Sequence, residues 1–319
     1  MPDPSILGRF LWHELLTTDT RSAAAFFTTL VGWKTKAWSK DPAYTMFLLG
    51  RRPVAGLMNL PEDARVMGAP PNWCTYIGTP DVDGTARLAV SLGGRILRQP
   101  ADIPTYGRFA VLQDPQGAVF AVYAPAQAEP EVTGVGGFSW HELATTDWAA
   151  ALRFYQRLFN WETTEAVEMG EGGGTYQMFG RAGKPIGGMF TKPPQVPHAY
   201  WLPYIRTADA KQTAERVRKV RGQILVGPME VPGGDWIFVG VDLQGATFAV
   251  HSGKPPVPAR RARAKTKEKG PRTAKKAMKS RGSRPGTRAA GKARKASRGR
   301  VAGKVARPAR KAKKRARRR

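Results

Sequence analysis

Along the first 125 residues the spacing of apolar positions switches between two periods. Residues 10–18 have strand character, and after Asp19 the apolar positions Ala23, Phe26, Phe27 and Leu30 follow a helical repeat. Asp is a residue type that caps helix N-termini, and Gly32 suits the left-handed turn at a helix C-terminus. Short strands at 44–49 and 54–58 are expected next. The order then starts again, with a strand at 73–78 and a helix from about 83 to 92 that Gly93-Gly94 stops. Strands at 109–113 and 118–123 flank Asp114-Pro115-Gln116-Gly117, which reads as a tight turn. The predicted unit is β-α-β-β-β, twice over.

The whole pattern returns later in the chain. Phe10-Leu11-Trp12-His13-Glu14-Leu15-Leu16-Thr17-Thr18-Asp19 reappears, an offset of 128 away, as Phe138-Ser139-Trp140-His141-Glu142-Leu143-Ala144-Thr145-Thr146-Asp147. That offset also relates Trp33 to Trp161, Trp73 to Trp201, Gly94 to Gly222, and Asp114, Gln116 and Gly117 to Asp242, Gln244 and Gly245. One offset shared by so many positions means that a whole domain was duplicated. The copies are placed at 8–125 and 138–253. A linker of Ala, Pro, Glu and Gly character spans 126–137, and a tail covers 254–319. The fold class is α+β.

The strand–Thr-Thr-Asp–helix–Phe-Phe or Phe-Tyr–Gly/Asn-Trp motif and the closing Asp-Pro-Gln-Gly-Ala-Val-Phe-Ala-Val resemble the vicinal oxygen chelate superfamily. That superfamily holds glyoxalase I, extradiol dioxygenases and bleomycin-resistance proteins. The resemblance implies that two βαβββ modules in each domain pair into a curled, mostly antiparallel eight-stranded cup around a ligand cleft. It does not settle function, because the superfamily hosts several chemistries. Metal-using relatives place a His on the first strand and a Glu after the late turn. Here those positions hold Trp12 and Ala121 in copy one, and Trp140 and Ala249 in copy two. Neither residue type offers a lone pair to a cation, so no cofactor is expected; a divalent metal such as Zn, Ni or Fe is the alternative.

Strand alternation directs Trp12 and Glu14, and Trp140 and Glu142, to the inward face. The closing strands add Tyr123 in copy one and His251 in copy two. An aromatic wall beside one carboxylate suits a flat or cationic small molecule. Glu142 and His251 are the candidates for acid–base catalysis, if their side chains meet. The same alternation turns His13 and His141 to the opposite face, as surface or inter-module residues, unless a β-bulge rotates them inward. Trp33, Trp161, Phe26 and Phe154 read as core, and Cys74 as packed in a strand. Gly172-Gly173-Gly174 reads as a hairpin loop without the context of a phosphate loop.

Charge changes the picture only beyond residue 253. Of the 52 Lys and Arg residues, 29 lie in 254–319 beside one acid, Glu268; residues 1–253 hold 23 bases against 23 acids. The tail contains no Ile, Leu, Phe, Tyr or Trp and is expected to be disordered. Its composition resembles linker-histone and bacterial histone-like tails. DNA or RNA is the expected partner, bound without sequence preference. The predicted contacts begin at Arg260, Arg261 and Arg263 and continue through Lys275, Lys276, Lys279 and Lys295. They end with Lys311, Lys313, Lys314, Arg315 and Arg317. One cysteine, no signal-peptide pattern and no long apolar run argue for the cytoplasm, near the nucleoid, or for the nucleus of a eukaryote. Two copies able to pair within one chain point to a monomer without membrane contact. Three functions remain open: a metal-independent small-molecule binder, a metal-using lyase, isomerase or dioxygenase, and an interaction platform.

Overall fold

A computed structural model describes residues 4–38, 41–127, 132, 134–170 and 172–253. Copy one runs β1 (Phe10–Thr17), α1 (Thr20–Val31), β2 (Lys34–Trp38), β3 (Asp41–Leu49) and β4 (Arg52–Asn59). A short α2 (Glu62–Val66) leads to β5 (Asn72–Gly78), α3 (Val82–Ser91), β6 (Arg95–Ile103), β7 (Gly107–Gln113) and β8 (Val119–Pro125). Copy two runs β9 (Phe138–Thr145), α4 (Trp148–Phe159), β10 (Glu162–Glu168), β11 (Thr175–Arg181) and β12 (Lys184–Thr191). It ends with β13 (Tyr200–Arg206), α5 (Ala210–Lys219), β14 (Gln223–Glu230), β15 (Trp236–Val241) and β16 (Thr247–Ser252). The expected disordered tail, with its nucleic-acid contacts, lies outside the described residues.

Each copy forms one eight-stranded sheet, ordered β2-β3-β4-β1-β5-β8-β7-β6 and β10-β11-β12-β9-β13-β16-β15-β14. The two modules of a copy join through the antiparallel pairs β1–β5 and β9–β13. Local chemistry sets the helix ends. Asp19 accepts from the Ser22 amide at 3.0 Å, and Asp147 from the amides of Ala149 and Ala150 at 2.9 and 3.0 Å. Gly32 (φ 78°) and Asn160 (φ 53°) end the helices in the left-handed region. Asp114 ties the late turn by accepting from the amides of Gln116 and Ala118, and Asp242 repeats this with Gln244 and Ala246.

The helix-covered faces of the two copies share their cores. One cluster joins the α3 side of copy one (Val82, Ala86, Phe120) to α4 of copy two (Leu152, Phe154, Tyr155). The other joins α1 (Phe26, Phe27, Leu30) to the α5 side (Ala214, Val217, Phe248). Trp33 and Trp161 each reach across: their indole N–H groups donate to the carbonyls of Gly136 and Gly8, at 2.8 and 2.9 Å. Both are core residues, as are Phe26 and Phe154. Reciprocal contacts of this kind are those of an approximate two-fold axis between the copies.

His13 and His141 sit at that junction, Nε2 to Nε2 at 2.8 Å, with 4% and 6% of their surface exposed. The surface reading of these residues is therefore corrected: both are sealed between the copies. Phe10 stacks on His141 (3.5 Å between centroids) and Phe138 on His13 (3.7 Å). A bulge is present, but one step earlier than would turn the histidines inward. Trp12 pairs with Tyr76 and Phe10 with Ile77, leaving Leu11 as the extra residue, and Ser139 is extra in the same way. The bulge puts Phe10 and Phe138 on the interface side while Trp12 and Trp140 face the cup.

Candidate functional site

The open face of each sheet is lined by one repeated constellation. In copy one, β1 supplies Trp12 and Glu14, β3 Tyr44, β4 Gly56 and β5 Tyr76. Tyr76 donates to Glu14 at 2.8 Å, the Trp12 indole donates to the Tyr44 hydroxyl at 3.1 Å, and Tyr44 in turn bonds Glu14. In copy two the corresponding residues are Trp140, Glu142, Tyr176, Gly188 and Tyr204. Tyr176 and Tyr204 donate to Glu142 at 3.1 and 3.0 Å, and Trp140 donates to Tyr176 at 2.7 Å.

The glycines are needed sterically. Gly56 pairs with Glu14 across the ladder, and Gly188 with Glu142. A Cβ at Gly56 would fall 1.9 Å from the Tyr44 hydroxyl, and one at Gly188 2.2 Å from the Tyr176 ring. The tyrosines were not among the residues singled out from sequence. Tyr76 and Tyr204 are related by the common offset. Tyr44 and Tyr176 are related by 132, because the Gly172-Gly174 hairpin lengthens copy two; aligning each module separately would have revealed them.

Burial dominates the electrostatics. It raises the Glu14 carboxyl, an effect opposed by the Tyr76 and Tyr44 hydrogen bonds and by Arg98. It raises Glu142 from 4.5 to about 7, opposed by Tyr204 and Tyr176. The same burial, reinforced by the carboxylates, pushes Tyr44, Tyr76, Tyr176 and Tyr204 up, so these hydroxyls stay protonated donors. Cys74, opposite Glu14 in the ladder, is also pushed up by burial and is an unreactive thiol.

The cups differ around the shared constellation. Copy one is tighter: Glu14 is 8% and Tyr123 7% exposed, and the Tyr123 hydroxyl donates to the Tyr106 carbonyl at 2.9 Å. Arg98 lies over the Phe109 ring at 5.0 Å. In copy two Glu142 is half-buried, whereas Trp140 and Tyr176 are half-buried like their counterparts Trp12 and Tyr44, and Val226 and Ile237 stand where copy one has Arg98 and Phe109. Glu142 and His251 do not meet. Glu142 pairs with Leu202, and His251 lies beside Arg206, two rows of side chains further along β13. His251 instead bonds Ser139 and Asp235.

The donor set does not fit a divalent cation. Ala121 and Ala249 are fully buried on the cup floors, and each constellation offers one carboxylate that already accepts from tyrosines. Among the described residues no group of three or more His, Cys, Asp or Glu could hold a metal ion.

Known proteins share this architecture. Residues 137–250 match the Glyoxalase/Bleomycin resistance protein/Dioxygenase superfamily, and residues 13–123 match the Glyoxalase-like domain. CFP32 of Mycobacterium tuberculosis, provisionally named a glyoxylase, is 31% identical over 248 residues, covering 75% of this chain and 92% of that protein. The anthracycline biosynthesis protein DauV of Streptomyces sp. strain C5 is 29% identical over 260 residues, covering 76% and 92%. Among solved structures, the Mn(II)-bound glyoxalase from Novosphingobium aromaticivorans superposes with a TM-score of 0.53 at 15% identity, covering 79% of this chain and 88% of that one. Motif, topology and family match agree in both halves: the chain belongs to the glyoxalase/bleomycin resistance protein/dioxygenase superfamily, as a tandem pair of its domains.

Proposed function

We propose that this protein binds a small molecule in its cups without a metal, and that the basic residues 254–319 tether it to DNA or RNA. The observation that carries the reading is the repeated Trp–Glu–Tyr–Tyr constellation. It combines a flat aromatic wall, one desolvated carboxyl and hydroxyls that can donate to a ligand once the carboxylate turns to it. The more open copy-two cup is the principal site. A flat molecule with a cationic or hydrogen-bond-donating group fits Trp140 and Glu142. A relative named for anthracycline biosynthesis agrees with a planar polycyclic ligand. Pairing of the copies within one chain supports a monomer, and the absence of a described membrane-length helix is compatible with a place beside the nucleoid. The metal-dependent alternative lacks a donor set among the described residues.

Mass spectrometry of molecules that co-purify with the chain identifies the ligand class, and tryptophan fluorescence follows rebinding. Trp140→Ala is expected to weaken binding by about 1–3 kcal/mol, the range for a lost stacking anchor. Elemental analysis after dialysis should find no stoichiometric divalent cation. One tightly held metal per chain that raises the melting temperature would overturn the metal-free part.

A further inference from the structure

Copy two contains a chain of hydrogen bonds that copy one lacks. Ser139 Oγ lies 2.8 Å from Nδ1 of His251, and Nε2 of His251 lies 2.9 Å from Oδ2 of Asp235. The His251 side chain is 17% exposed and that of Asp235 43%, so the group is held in place yet reachable. Its polarity follows from the partners. A carboxylate only accepts, so Nε2 carries the ring proton and Nδ1 offers its lone pair to the Ser139 hydroxyl. Hydroxyl, base and orienting carboxylate are then in the order of an activated nucleophile.

Three separate elements converge to make it. Ser139 is the extra residue of the β9 bulge, a device that re-aims a side chain. His251 lies on the cup face of β16, opposite Ile237, and Asp235 immediately precedes β15. Copy one has the same bulge and the same strands, with Leu11, Tyr123 and Gly107 at the three positions. The fold therefore does not require the polar trio.

We infer that Ser139, His251 and Asp235 form a second, catalytic site at the copy-two cup, for acyl transfer from small carboxylic esters or thioesters. Ser139 Oγ attacks the acyl carbon while its proton passes to Nδ1 of His251. His251 returns that proton to the departing alkoxide or thiolate, leaving acyl-Ser139 and a free alcohol or thiol. Water, deprotonated by His251, then cleaves the acyl bond, releasing the carboxylic acid and regenerating the serine hydroxyl. Ser139 and His251 are the catalytic residues, and Asp235 is a positioning residue that selects the tautomer.

The test treats the full chain with a fluorophosphonate probe, whose P–F bond breaks as an Oγ–P bond forms. One probe per chain is expected, mapped by peptide mass to Ser139 of the wild-type protein, so the result does not hang on any variant folding. Ser139→Ala should abolish labelling, and His251→Gln should slow it by about 10²-fold or more. Asp235→Asn should slow it too and move His251 from the Nε2–H to the Nδ1–H tautomer in long-range ¹⁵N spectra, which a purely structural role would not do. Labelling no faster than that of Ser139→Ala, a label on another residue, or wild-type rates in His251→Gln would each overturn the inference. Ligand binding at Trp140, read by fluorescence, is scored separately, so the failure of either reading leaves the other standing.

Discussion

Glu142 is an acid whose protonation the fold controls. Burial lifts it from 4.5 to about 7, despite the opposing tyrosine hydrogen bonds. Between those values the unfolded chain has lost the proton and the folded chain keeps it, so this residue's contribution to stability is complete below pH 4.5 and lost as pH rises through about 7. His13 and His141 slope the other way. Burial holds both imidazoles down, His141 to about 3, so acid below about 6.5 favours the unfolded chain. In the wild type the two slopes oppose each other, and a variant separates them. Glu142→Gln should gain stability relative to wild type on going from pH 4.5 to 8, on the order of 2 kcal/mol, in urea melts at the two pH values. A difference independent of pH would mean that Glu142 titrates normally. For a cationic ligand the corresponding expectation is affinity that rises with pH through about 7.

At the scale of elements, glycines at repeat-related positions let one copy approach the other. A Cβ on Gly222, just after α5, would stand 2.8 Å from the Phe26 ring of α1 and 2.8 Å from Val217. Gly94, its counterpart after α3, would bring one 3.3 Å from Phe154 of α4. Gly222→Ala should cost about 1–3 kcal/mol through overpacking. Phe26→Leu in the same chain should recover part of that loss, measured as a coupling energy in a double-mutant cycle. Strict additivity would show that the helices are not in tight contact there. The bulges in β1 and β9 are equally local devices with distant effects: one extra residue aims a Phe at the partner copy's His and, in copy two, Ser139 at His251.

For the whole molecule, charge is divided unevenly along the chain. Residues 1–253 balance 23 bases with 23 acids, whereas 254–319 carry 29 bases and one acid. Nucleic-acid binding should therefore reside in the tail, and residues 1–253 should bind none. If about ten of those bases meet phosphates at once, log affinity should fall with log salt at a slope near −9 through counterion release. Without aromatic residues in the tail to stack on bases, single strands should hold no advantage over duplex. Gel-shift titrations of the full chain and of residues 1–253 at several salt concentrations decide this. Equal affinities, or indifference to salt, would remove the tether.

Period, caps and the 128-residue offset were enough to read the βαβββ modules, their duplication and the faces of Trp12, Glu14, Trp140 and Glu142, because those features depend on neighbours in sequence. The absence of metal-ligand types at Trp12, Ala121, Trp140 and Ala249 was legible for the same reason. Contacts between elements were not. That Tyr44 and Tyr76 close on Glu14 depends on four neighbouring strands, β3, β4, β1 and β5, with Gly56 leaving room for Tyr44, and that His13 finds His141 depends on how the helix faces of the copies dock. The separation of Glu142 from His251, and the union of His251 with Ser139 and Asp235, follow from ladder register and a single bulged residue. A one-residue shift turns a side chain to the other face of a strand, and only the packed sheet fixes that shift.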